Sequence, residues 1–132
     1  MRPELYARLM ADLRGLTPDT LKWTKLEQRP ILWALVHEGL RMIPGTTQRS
    51  ARCARDEDLV YTSKDGSVRH VIPRGTPIGM SAIIQHWDEG IFPDPDTFNP
   101  DRWLLPDGTH NHGMLKHTLS FGRGHRGCLG DK

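Results

Sequence analysis

Near the start of the chain, apolar positions recur at helical spacing. Tyr6, Leu9, Met10 and Leu13 share one face of segment 3–14, with Pro3 suited to a first helical turn and Gly15 to the stop. Thr24 and Glu27 stand at capping-box spacing and predict a short helical turn. Pro30 then opens a second helix, 30–42, whose expected buried face is Leu32, Leu35, Val36, Leu40 and Ile43, and Pro44-Gly45 ends it. From 48 to about 84 the texture changes to short β-like runs, broken at Lys64-Asp65-Gly66-Ser67 and at Pro73-Arg74-Gly75, which predicts a small antiparallel sheet. A meander rich in Pro and Asp follows over about 86–113, with Trp87, Phe92, Phe98 and Trp103 as expected anchors. The fold class read from this pattern is mainly α with a small antiparallel β-sheet, and no linker divides the chain.

Composition narrows the function classes. The 132 residues include 13 Gly and 10 Pro, which favours short elements joined by ordered loops. Eighteen basic residues are interspersed with 16 acidic ones for a net charge of +2, so no basic stripe offers itself to phosphates and nucleic acid is not an expected partner. The longest apolar run, Ile31 to Val36, is far shorter than the ~20 residues that span a bilayer, and Met1 opens no signal-peptide pattern. The expectation is a chain that is soluble or lacks its anchor. Two cysteines, Cys53 and Cys128, make no disulfide framework and stand in no CxxC pair. Cys53 reads as a half-buried strand residue without a function. His110, His112 and His117 lack a third ligand at fixed spacing and read as solvated histidines, not a metal site.

The chemistry concentrates in Phe121-Gly122-Arg123-Gly124-His125-Arg126-Gly127-Cys128-Leu129-Gly130. Three readings compete. Gly122 to Gly127 matches the GxGxxG dinucleotide fingerprint letter for letter, but that fingerprint requires a preceding strand within a βαβ unit and an acidic residue about twenty positions on, and the given sequence stops at Lys132. A cysteine nucleophile with His117 or His125 as base is a second reading, and nothing fixes that base in place. The third is a thiolate ligand to haem iron. Glycines let the backbone lie against a flat macrocycle where a Cβ would collide. A helix end at Cys128 would favour thiolate over thiol. Arg126 could pair with a propionate through its forked guanidinium, and Phe121 would shield the sulfur from water.

The loop contains every fixed position of Phe-Gly-x-Gly-x-Arg-x-Cys-x-Gly and so resembles the haem-binding signature of the cytochrome P-450 family. Glu38-Gly39-Leu40-Arg41 resembles that family's ExxR helix, and Phe98-Asn99-Pro100-Asp101-Arg102-Trp103 its meander motif, with Asp101 and Trp103 in place of the more usual glutamate and phenylalanine. The resemblance spans nearly the whole chain, the two helices being similar to the family's J and K. The runs Asp56 to Tyr61 and Gly75 to Met80 are closest in texture to fungal members.

The resemblance implies a partial cytochrome P-450 fold. It implies haem b with Cys128 as axial iron ligand, and a haem environment that includes Phe121, Gly122, Gly124, Arg126 and Gly130. Arg49 would be a second propionate partner. It further implies a structural cluster of Glu38, Arg41 and Arg102. The activity implied is that of a monooxygenase, an oxidoreductase acting on a small organic substrate with O2 and electrons from an NADPH-dependent reductase. In a eukaryote it would act at the cytosolic face of the endoplasmic reticulum membrane. A haem-thiolate isomerase or dehydratase, or a non-catalytic remnant, shares the same loop. The family's oxygen-activating helix and anchor are expected upstream of residue 1, and residues 1–132 alone are expected to be inactive.

Overall fold

The computed structural model describes residues 2–45, 47–49 and 51–130, and of Arg126 the backbone alone. The chain divides into two compact units, one of residues 1–46 with 82–132 and the other of residues 47–81, a division that the absence of a linker in the sequence did not suggest.

In the first unit, helix α1 is Pro3–Asp12, two residues shorter than the 3–14 expected, because Leu13 closes it and Gly15, at φ 81°, takes the left-handed turn beyond. Its apolar face is shallowly covered: Leu9 and Leu13 are half-buried while Tyr6 and Met10 are exposed. The short helix α2 is Trp23–Leu26, with Lys22 at its N-cap and no side-chain cap. Thr24 therefore lies inside the turn, and the expected capping box with Glu27 does not form. Helix α3, Pro30–Met42, matches its expected bounds, and Pro30 fills the first turn, where a missing N–H costs nothing. Its opening amides are satisfied from afar: the Asp12 carboxylate accepts from Ile31 N at 3.0 Å and Leu32 N at 3.1 Å, which ties the end of α1 to the start of α3.

The inward face of α3 is not the one its apolar residues suggest. Ala34, Glu38 and Arg41 are buried, whereas Val36 and Ile43 are 48% and 80% exposed and Leu32, Leu35 and Leu40 are half-buried. The reason is packing against the meander. Ala34, Phe92 and Trp103 form the apolar core of this unit, and the small Ala34 side chain leaves room for the Trp103 indole. Among the meander anchors Phe92 and Trp103 are buried and Trp87 and Phe98 half-buried. The meander contains a 3-10 turn at Pro100–Trp103, started by Asn99, whose side chain accepts from Asp101 N, and Leu104 and His110 form an isolated antiparallel bridge.

The second unit holds two separate two-stranded antiparallel ladders where a single sheet was expected. Strands β2 (Leu59–Thr62) and β3 (Arg69–Ile72) form a hairpin, in register from Leu59 opposite Ile72 to Thr62 opposite Arg69, while β1 (Arg52–Cys53) pairs β4 (Pro77–Ile78). The Asp65 carboxylate organises the hairpin turn by accepting from the Ser63 and Ser67 hydroxyls and from Ser67 N, contacts that hold its pKa down at about 2. Strand structure ends at Ile78. Ala82–His86, expected as the sheet's margin, is instead helix α4 of the first unit. Cys53 is exposed, not half-buried.

Candidate functional site

Glu38 is fully buried and accepts five hydrogen bonds: from Arg41 Nε and Nη2, both at 2.9 Å, Asn99 N at 2.9 Å, Arg102 Nε at 3.1 Å and Trp103 Nε1 at 2.8 Å. The three residues assigned to a structural cluster thus meet, although Arg102 is sixty-four positions from Glu38. Helical spacing puts Glu38 and Arg41 on one face, so the guanidinium reaches the carboxylate in a forked pair. Burial pushes the Glu38 pKa up, but the bonds from Arg41, Asn99 and Trp103, with the Arg41 charge, outweigh it and hold the carboxyl below its ordinary value. The remaining arginine donors are spent on backbone. Arg41 donates to the carbonyls of His86 at 2.8 Å and Pro95 at 2.7 Å, and Arg102 donates to those of Pro93, Asp94 and Thr97. A loop segment with few regular hydrogen bonds is thereby fastened to α3 by charge-assisted ones.

His86 escaped the sequence reading, since a lone histidine on a short segment has no partner at recognisable spacing. It is fully buried. Its Nδ1 lies 2.8 Å from the Arg41 carbonyl and its Nε2 accepts from Leu119 N at 2.9 Å, so the ring is neutral and protonated on Nδ1. Burial, opposed by the Arg41 carbonyl and helped by the Arg41 charge, lowers its pKa. Neighbouring contacts point the same way: Gln85 Nε2 donates to the His117 carbonyl and Ser120 Oγ to the Leu40 carbonyl, both at 2.9 Å.

These bonds fasten the segment that enters the glycine-rich loop. Leu119 O accepts from Gly122 N at 3.0 Å, Phe121 O from Cys128 N at 2.7 Å and Gly124 O from Gly127 N at 3.0 Å. Gly122 and Gly124 have φ of 68° and 69°, where a Cβ would be strained. A Cβ on Gly127 would come within 3.3 Å of Gly124 O, and one on Gly130 within 3.7 Å of Cys128 Sγ. Arg123 folds back to donate to the carbonyls of Thr118 and Leu115.

One expectation changes here. The helical turn of this loop, Gly124–Arg126, precedes Cys128, and Leu129-Gly130 form a turn; the helix expected beyond the sulfur would continue past Gly130, the last described residue. Phe121 does not cover Cys128: both residues are exposed, and the contribution of Phe121 is its carbonyl. The Arg126 side chain lies outside the described residues, and Arg49 is an exposed residue of the other unit. A cleft of about 350 Å³ lies between α3 and the loop, with His37, Leu40, Leu115, Phe121 and Arg123 in its wall, and Cys128 is not part of that wall. Among the described residues no group of three His, Cys, Asp or Glu side chains is arranged for a metal ion, and no helix is long and apolar enough to cross a membrane.

Comparison with known proteins supplies the family. The family model described as "Cytochrome P450" matches residues 1–132. The chain is 41% identical, over 97% of its length, to 30% of a cytochrome P450 monooxygenase (ppzE) of Metarhizium majus. It is 42% identical, over 98% of its length, to 35% of the ppzE protein of Metarhizium rileyi. It is 40% identical, again over 98%, to 25% of a cytochrome P450 monooxygenase (aflU) of Aspergillus parasiticus. The chain thus spans about a quarter to a third of the length of these fungal relatives. With the glutamate-arginine cluster assembled and the cysteine loop closed behind it, and with the match running from end to end, the chain belongs to the cytochrome P450 family.

Proposed function

We propose that the protein is a haem-thiolate monooxygenase in which this chain supplies the cysteine side of a haem b site, and Cys128 is the residue that would hold the iron. The observation that carries this reading is the loop itself. Its sulfur is exposed, Gly122 and Gly124 hold left-handed conformations with open space where a Cβ on Gly124 would stand, and the Cys128 amide is tied to Phe121 O at 2.7 Å. The donor set fits the group, because a soft, accessible sulfur on a surface cleared of Cβ atoms suits iron at the centre of a flat macrocycle. When bound, haem supplies the oxygen chemistry, the thiolate pushing electron density towards O–O cleavage.

The work of the chain is placement. The 121–128 bond fixes the backbone at the sulfur, while Gly122, Gly124 and Gly130 would let a flat ring approach the backbone. By the resemblance, Arg126 would offer a guanidinium fork to a propionate, while Glu38, Arg41 and Arg102 lock α3 to the meander. The reaction is insertion of one oxygen atom from O2 into a small organic substrate, with electrons from an NADPH-dependent reductase, at the cytosolic face of the endoplasmic reticulum. The ferrous–CO difference spectrum of the haem-loaded protein tests the assignment: the thiolate-type band is expected, and a Cys128→Ser form that keeps it overturns the reading.

A further inference from the structure

Among the described residues no side-chain hydrogen bond joins Glu38, Arg41 or Arg102 to residues 121–130, yet one residue bonds to both the cluster and the segment entering the loop. His86 and Arg41 exchange hydrogen bonds: the Arg41 guanidinium donates to the His86 carbonyl, and the His86 ring donates to the Arg41 carbonyl, each at 2.8 Å. The other ring nitrogen holds Leu119 N at 2.9 Å. From there the bonds run on through the backbone, Leu119 O to Gly122 N and Phe121 O to Cys128 N. We propose that His86 is a positioning residue for Cys128, a neutral imidazole whose two ring bonds transmit the placement of the Glu38–Arg41–Arg102 cluster to the cysteine loop.

Three observations support this role over simple space-filling. Both ring nitrogens are used, and each bonds backbone, so the ring sets main-chain positions directly. The ring orientation is fixed by packing, its plane standing at 80° to that of Phe92 with centroids 6.2 Å apart. And among the described residues the charge acting on it is that of Arg41, paired with Glu38, which disfavours protonation of the ring. A protonated ring would carry a donor at Nε2 where Leu119 N–H also donates, so the link exists only in the neutral form.

The inference rests on Cys128 as the iron ligand, and the experiment separates the two. In the haem-loaded protein, His86→Phe keeps an aromatic ring and removes both bonds, whereas His86→Gln keeps one donor and one acceptor. The expected result is that His86→Phe retains bound haem but loses most of its thiolate-type ferrous–CO band, and that His86→Gln recovers the greater part of it. A full thiolate band in His86→Phe overturns the role of His86. Retention of that band in Cys128→Ser would instead overturn the ligand assignment. Should His86→Phe fail to fold, nitrogen NMR of histidine-labelled native protein still decides: the His86 ring should remain the Nδ1-protonated neutral tautomer from about pH 6 to 8, across which an ordinary histidine titrates. A ring that titrates within that range, or is protonated on Nε2 when neutral, overturns the proposal.

Discussion

Replacing Glu38 by Gln changes almost no volume and removes one charge, which makes it a sharp probe of the buried cluster. The carboxylate accepts at both oxygens: Oε1 from Arg41 Nη2, Asn99 N and Arg102 Nε, and Oε2 from Arg41 Nε and Trp103 Nε1. An amide has one oxygen. In its better orientation the glutamine keeps the three partners of Oε1 and turns its own NH2 towards Arg41 Nε and Trp103 Nε1, so two buried donors face a third. Each stranded donor costs about 1–3 kcal/mol. Arg41, fully buried, also loses its counter-charge, and breaking a buried pair typically costs about 3–5 kcal/mol in all. The terms overlap, so the expected destabilisation is about 3–5 kcal/mol, a large share of the 5–15 kcal/mol that holds a typical domain together. Thermal unfolding followed by circular dichroism, with the haem-loaded fraction measured in parallel, should show a drop of about ten degrees or more and poor haem retention. A Glu38→Gln protein that melts within a degree or two of the parent would refute the claim that this carboxylate organises the unit.

Arg41→Lys should fail nearly as badly despite its charge, because an ammonium cannot make two parallel bonds to Glu38 while reaching the carbonyls of His86 and Pro95; soluble yield and melting temperature check this. Gly124→Ala should cost about 1–2 kcal/mol through its φ of 69° alone, with open space for the methyl, and the melting curve reads it. Lowering the pH should weaken the fold first through two histidines. His86 and His37 have pKa values lowered from 6.5 by burial, so the unfolded chain takes up their protons first. Stability is then full above about 6.5, falls with pH until the lowered folded values are passed, and Glu38 adds its loss further down, below 4.5. A melting temperature flat from neutral pH to the carboxylate range would contradict this.

How much of this was legible in the sequence depended on the kind of signal. Proline and glycine punctuation placed α3 and the stop after α1 closely, since those residues act through local backbone geometry. The motif positions Glu38, Arg41 and Arg102 were found by resemblance and do meet in space. The buried face of α3 was misjudged because hydrophobicity was taken as the guide to burial. Ala34, Glu38 and Arg41 face inward instead, since the meander supplies an indole that needs an acceptor and carbonyls that need donors. The roles of His86, Gln85 and Ser120 were invisible, because all three bond to backbone atoms far away in sequence and such targets leave no trace in residue type.

That inversion on α3 bears on how the cysteine loop is held. The buried apolar side chains of the described residues are few, Ala34, Ala82, Phe92 and Trp103 with three prolines, Pro44, Pro95 and Pro100, while Glu38, Arg41 and His86 are buried as completely as Phe92 and Trp103. Apolar contacts are non-directional and would tolerate small slips of the meander against α3. A five-fold coordinated carboxylate, two arginines reaching backbone carbonyls and an imidazole bonded at both nitrogens tolerate none, because each slip strands a buried polar group. In this chain the polar network therefore sets position where the apolar core sets only proximity. On the proposed function, Cys128, whose use as a ligand would depend on where its sulfur points, would gain more from the first than from the second.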